Sequence, residues 1–103
     1  MVPSVKMNPE PAGTVNGAWM PTAVFGADAG VTREMLQEAF AAENIDARVF
    51  FHPLSSLSMF EDQRQNRLAW DIPARAINLP SYHDLSDSDL ARVSDVLTRR
   101  FFR

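Results

Sequence analysis

Cysteine is absent from the 103 residues, which removes disulfide frameworks and thiolate metal sites together and leaves the redox compartment open. Lysine is nearly absent as well. Lys6 is the only one, so nine of the ten basic residues are arginines, and thirteen acids leave a formal charge of −3. No basic field therefore exists to attract phosphates or anionic lipid, and neither nucleic acid nor a membrane is an expected partner. The four glycines form no G-x-G-x-x-G or G-x-x-x-x-G-K-[ST] loop, so nucleotide binding by backbone amides has no support. No apolar run approaches the roughly 20 residues needed to span a bilayer. The N-terminus also lacks the apolar region of a signal peptide, so a cytoplasmic setting is expected.

What remains is an ordinary globular balance, 46% apolar and 22% charged residues, enough for one modest core. Residues 1–17 hold Pro3, Pro9, Pro11, Gly13 and Gly17 with few large apolar side chains, and they read as a flexible tail or linker before a single domain at 18–103. The remaining pattern predicts an α+β fold, a small, mainly antiparallel sheet packed with helices. Strands are expected near 18–25, 47–51 and 76–79. In the first, Trp19, Ala23 and Phe25 share a face, and Pro21 requires an edge or a bulge. In the second, Arg48, Phe50 and His52 share a face opposite Ala47, Val49 and Phe51. Helices are expected near 32–43, capped by Thr32, near 66–75, interrupted by Pro73, and near 86–100, capped by Ser86. Asn44 suits a left-handed residue at the end of the first helix, with Ile45 folding back on its last turn. Residues 54–65 read as a loop with one turn of helix, whose apolar members need cover.

Candidate chemistry is sparse. His52 and His83, with Asp84, are too few and wrongly spaced for a zinc site, which needs three or four ligands, so no metal is expected. Ser55, Ser56 and Ser58 lie outside any G-x-S-x-G elbow and read as turn residues. Arg48 stands between apolar neighbours on an expected strand, where its guanidinium must find a partner. It either pairs with an acid such as Asp46 or faces a ligand. His52, at a strand end before Pro53, is either a hydrogen-bonded structural residue or a pocket-lining one. Phe50 shares their face, which suggests a surface covered by another domain or subunit.

Two segments carry a stronger signal, residues 45–57 (IDARVFFHPLSSL) and residues 75–85 (RAINLPSYHDL). Residues 16–22 (NGAWMPT), residues 30–33 (GVTR) and the helix from Leu85 to Leu97 add to it in the right order. Together they closely resemble the C-terminal part of the DegT/DnrJ/EryC1/StrS family of sugar aminotransferases. The resemblance implies homodimers in which a large domain holds pyridoxal phosphate through a lysine Schiff base, next to a small C-terminal domain of sheet and helices. It also implies transfer of an amino group, usually from glutamate, to a keto group on a nucleotide-linked sugar. Arg48 and His52 then fall on the substrate side of the parent's cleft.

No counterpart of the large domain is present, and a Schiff-base lysine must be rigidly held with a lowered pKa, which Lys6 in a Pro-rich tail would not be. Neither a catalytic residue nor a cofactor site is therefore expected here. The chain is expected to be a detached small domain without independent catalysis. It should self-associate as a homodimer through Phe50, Leu54, Leu57, Met59 and Phe60. The alternative is an interaction module that docks on the large domain of an aminotransferase, or on another partner.

Overall fold

In the computed structural model, which describes residues 4–102, strand β2 (Thr22–Phe25) and strand β4 (Ala76–Asn78) form the centre of a four-stranded sheet. Strand β1 (Val5–Lys6) lies outside β2 and strand β3 (Arg48–Val49) outside β4, and every pairing is antiparallel. Alternation along the strands sets the two faces. Ala23, Phe25 and Ile77 are fully buried, and the register puts Val5 opposite Phe25 and Val49 opposite Ile77. Helix α1 (Arg33–Ala42) adds Leu36, Ala39 and Phe40 to this core, and helix α3 (Asp87–Phe101) adds Val93, Val96 and Leu97. On the opposite face Thr22 and Asn78 are directly paired, and the Thr22 hydroxyl donates to Asn78 Oδ1 at 2.8 Å. The expected α+β class is what forms.

Both long helices start and stop for local reasons. Thr32 accepts a hydrogen bond from the Met35 N–H at 3.2 Å, and Ser86 accepts one from the Asp89 N–H at 3.1 Å, each satisfying a donor that the first turn leaves unpaired. At the end of α1, Asn44 is left-handed with φ 56°, and the N–H groups of Asn44 and Ile45 reach back to the carbonyls of Ala41 and Phe40 at 3.0 Å. This is the Schellman arrangement, with Ile45 folded onto the core beside Phe40. Arg92 of α3 donates to the Glu43 carbonyl at 3.0 Å, so one further orphan acceptor is satisfied across the helix pair. Helix α2 (Arg67–Asp71) gives way to a 3-10 turn at Ile72–Arg75, because Pro73 has no N–H to give the Ala69 carbonyl.

Two expectations fail in the first 20 residues. Val5 and Lys6 lie in the stretch read as a flexible tail, yet they pair with Phe25 and Val24. Asn8 extends the attachment with its side chain, donating to the Met20 carbonyl and accepting from the Thr22 N–H, each at 2.8 Å. The physical reason is the open edge of β2, whose backbone groups and Phe25 need cover. Residues 1–3 of the expected tail and residue 103 of the expected domain lie outside the described residues. The second failure is Trp19, which is 75% exposed instead of sharing the core face. Ala18 adopts φ 51°, a left-handed residue that breaks the extended run, so β2 begins only at Thr22. Pro21 precedes it, and the Pro21 carbonyl still accepts from the Leu79 N–H at 2.8 Å.

Candidate functional site

Strand β2 begins, β4 ends and β3 begins at the same end of the sheet, and a cleft of about 470 Å³ opens there. The C-terminus of α1 and the first turns of α3 close its sides. Asn78 contributes from β4 and is only 3% exposed. Its amide donates to the Val49 carbonyl at 3.3 Å, and its oxygen accepts from Thr22, so its orientation is held from both neighbouring strands. Asn44 and Asp46 enter from the turn after α1, Arg48 from β3, Tyr82 from the loop after β4, and Asp89 and Arg92 from α3. Trp19 lines the cleft as well.

Charge in the cleft is matched. Arg48 pairs with Asp46 at 3.3 Å, the Tyr82 hydroxyl donates to Asp89 Oδ2 at 3.1 Å, and Arg92 is engaged by the Glu43 carbonyl. The phenol of Tyr82 is pushed up from its ordinary range, first by the hydrogen bond to Asp89 and then by desolvation and the charges of Asp89 and Asp84. Two guanidinium groups thus stand against two carboxylates among the lining side chains, and the cleft has no net sign.

A second hollow, about 370 Å³, lies between residues 50–55 and α2. Its walls are apolar, from Phe50, Phe51, Pro53 and Leu54, with His52, Ser55 and Asn66 as polar members. His52 Nδ1 lies 3.3 Å from Arg33 Nη1, and since a guanidinium only donates, the contact needs an acceptor at Nδ1. Arg33 also pairs with Glu34 at 3.2 Å. The Glu34 carboxyl sits below its usual range, chiefly through its own backbone N–H at the helix start and next through Arg33.

The sequence-based candidates are therefore separated. Arg48 lines the larger cleft and His52 the smaller hollow. Strand β3 ends at Val49, so Phe50 and His52 do not continue a strand face with Arg48. The Arg48 side chain is 79% exposed, so the expected desolvation of a guanidinium among apolar neighbours does not arise, and its pair with Asp46 is a surface one. A ring stack joins the two cavities, Trp19 on Phe51 with centroids 6.5 Å apart and planes 16° apart. Sequence reasoning missed Trp19, Tyr82, Asp89 and Arg92 as cleft residues. The turn that exposes Trp19 and the packing of α3 against α1 carry no motif, although a polar Asn78 between Ile77 and Leu79 was a visible irregularity.

The apolar segment is open to solvent. Leu54 is 72% exposed, Met59 74% and Phe60 54%, with Leu57, Phe51 and Leu68 also exposed, while Phe50 is half-buried. Trp70 anchors the loop beneath them, its indole N–H donating to the Gln63 carbonyl at 3.1 Å while the Arg64 guanidinium lies 3.8 Å over its ring. Ser56 turns back on the Pro53 carbonyl at 2.6 Å, as a turn residue does. Among the described residues no helix is long and apolar enough to cross a membrane, and no group of three or more His, Cys, Asp or Glu could hold a metal ion.

The model of the DegT/DnrJ/EryC1/StrS aminotransferase family matches residues 2–98. The chain is 25% identical over 100 residues to GDP-perosamine synthase of Vibrio cholerae, covering 94% of this chain and 27% of that protein. It is 28% identical over 103 residues to the putative pyridoxal phosphate-dependent aminotransferase EpsN of Bacillus subtilis (strain 168), covering 94% and 26%. The chain thus spans about a quarter of the length of these curated relatives. The residues present do not fit pyridoxal phosphate as a Schiff base. Lys6 is exposed on the outer strand β1 and lines neither cavity, so neither offers an amine to an aldehyde. With the family model matched over residues 2–98, nearly the whole chain, this chain belongs to the DegT/DnrJ/EryC1/StrS aminotransferase family.

Proposed function

We propose that these residues act as the small C-terminal domain of a nucleotide-sugar aminotransferase, and that the 103-residue chain performs no transamination alone. The observation that carries this reading is the joint one: a family match over nearly the whole chain, a span of about a quarter of the relatives, and a single lysine on an exposed edge strand. Arg48 and His52 would then face the substrate side of a complete enzyme in a cytoplasmic setting, flanking the Trp19–Phe51 stack. The test is direct. Incubation with pyridoxal phosphate followed by borohydride should leave the mass of the protein unchanged, and glutamate with a nucleotide-linked keto sugar should give no amino sugar. Turnover, with a reduced adduct on Lys6, would overturn the reading.

The exposed apolar segment supports a second element of the proposal. Phe51, Leu54, Leu57, Met59 and Phe60 fall within ten residues of chain and are all exposed, the arrangement expected of a surface that another polypeptide covers. We take a second copy as the simplest occupant, giving a twofold dimer through Phe50, Leu54, Leu57, Met59 and Phe60. Sedimentation should show dimer at high concentration. Monomer throughout, together with co-purification on a large-domain polypeptide, would favour the docking module instead.

A further inference from the structure

We propose that the outer edge of β2 is an exchange site, able to take residues 4–8 of a second copy of this chain in place of its own. The inference uses neither the small-domain reading nor the apolar segment. A sheet edge with free backbone groups accepts a further strand readily, and here the edge is fitted to one sequence. The Gly26 N–H donates to the Ser4 carbonyl at 2.7 Å. A Cβ on Gly26 would lie 3.1 Å from the Ser4 Cβ, so the strap passes where a larger residue would crowd it. Val5 stands opposite Phe25 and packs against the core. Asn8 closes the far end, donating to the Met20 carbonyl and accepting from the Thr22 N–H, each at 2.8 Å. An unrelated peptide would have to reproduce all of these contacts, whereas a second copy carries them already.

The hinge decides between the chain's own strap and an exchanged one. Residues 9–18 are exposed except for Asn16, with Val15 at 93%, so the hinge adds nothing to the core. Its shaping hydrogen bonds run from the Thr14 N–H to the Pro11 carbonyl at 3.0 Å, from the Asn16 N–H to Glu10 Oε2 at 2.7 Å and from the Ala18 N–H to Asn16 Oδ1 at 2.7 Å. All join hinge residues to one another, and water can replace them. The return also uses two positive φ angles, 82° at Gly13 and 51° at Ala18. Glycine adopts such a value freely, but Ala18 does so against its own Cβ. An extended hinge releases that strain, and Pro9 and Pro11 already favour extended backbone. Ten residues reach about 33 to 36 Å, enough to seat the strap on a neighbouring molecule. Exchange thus keeps every β1–β2 contact and removes the strained turn. Opposing it is the effective concentration of the tethered strap, in the millimolar range for a short linker, so exchange is expected near millimolar protein.

Native cysteine is absent, so introduced thiols report on this pairing without interference. Lys6 and Val24 are register partners, and antiparallel partners stand roughly 4.5 to 5.5 Å apart, within reach of a disulfide. Full-length Lys6→Cys chain and size-tagged Val24→Cys chain are unfolded together in urea, refolded at about 1 mM and oxidised with diamide. The mixed disulfide should form at severalfold the yield of either homodimer. Ala18→Gly in both chains should lower that yield about fivefold or more, the scale of one left-handed penalty. Leu54→Glu with Phe60→Glu should leave it unchanged. A mixed disulfide no more abundant than the homodimers, or a yield indifferent to Ala18→Gly, would overturn the exchange. A yield abolished by the Leu54 and Phe60 changes would overturn it too and assign the association to the apolar segment. None of these results alters the borohydride experiment, so the two readings fail separately.

Discussion

Asn44 serves a helix end and a cleft wall with the same geometry. At φ 56° a β-branched side chain would be strained, whereas glycine would be at ease. Asn44→Gly should therefore shift the urea midpoint little, and Asn44→Val should lower stability by roughly 1 to 2 kcal/mol, the scale of a left-handed penalty. Asp71 illustrates a different kind of single-residue effect. Arg75 grips its carboxylate through two bonds, 2.7 and 3.2 Å, and holds its pKa below the ordinary value, chiefly by that hydrogen bonding. A depressed carboxyl pKa contributes stability above the unfolded value, and the contribution is lost as pH falls through the folded one. The melting temperature of Asp71→Asn should accordingly lie below that of the parent near neutral pH. The gap should close as pH falls through the ordinary carboxylate range and then through the lower folded-state value. A gap independent of pH would refute the assignment. The exposure of the pair makes the effect a small one.

Helix α3 depends on its cap more than on its charges. Ser86 is the one side chain accepting from the Asp89 N–H, and Ser86→Ala should cost about 1 kcal/mol, or roughly 4 to 8 °C in Tm for a domain of this size. Ser86→Asp should restore most of the loss, because an Asp also caps and favours the positive end of the helix dipole. Calorimetry of the two variants checks this. Helix α2 behaves in the opposite way. Its interruption was legible from Pro73, since a missing donor interrupts a helix whatever surrounds it, whereas its length of only Arg67–Asp71 and the 3-10 form of the turn that follows were not. The boundaries of α1 and α3 were legible for the same kind of reason, a cap residue followed by apolar residues at helical spacing. Strand β2 was read four residues too long because nothing in residues 18–21 marks Ala18 as left-handed, and β1 was missed because a two-residue strand has no periodicity to detect.

The whole molecule rests on one thin core between the sheet and the pair α1 and α3. Phe40 is 1% exposed at its centre, and Phe40→Ala should cost about 3 to 5 kcal/mol out of a total of roughly 5 to 15 for a domain of this kind. That variant should lose its cooperative thermal transition or melt far below the parent. The apolar segment belongs to no such core. Replacing both Leu54 and Phe60 by Glu should abolish the proposed self-association in sedimentation while leaving Tm nearly unchanged, because both residues are already exposed. A large fall in Tm instead would mean that the segment is part of the folding unit.

Local chemistry settled a good deal in advance. Thr32, Ser86, Asn44 and Pro73 act through backbone groups within a few residues of themselves, so their consequences need no knowledge of the rest of the chain. The family likeness and the shortage of lysine were likewise matters of which residues are present and in what order. Packing alone could bring Trp19, Asn44, Arg48, Asn78, Tyr82 and Arg92 to one end of the sheet, and it alone could part Arg48 from His52 by ending β3 at Val49. A cleft is made by residues far apart in the chain, and their convergence follows from strand order and helix docking. Neither leaves a periodic trace in the linear pattern.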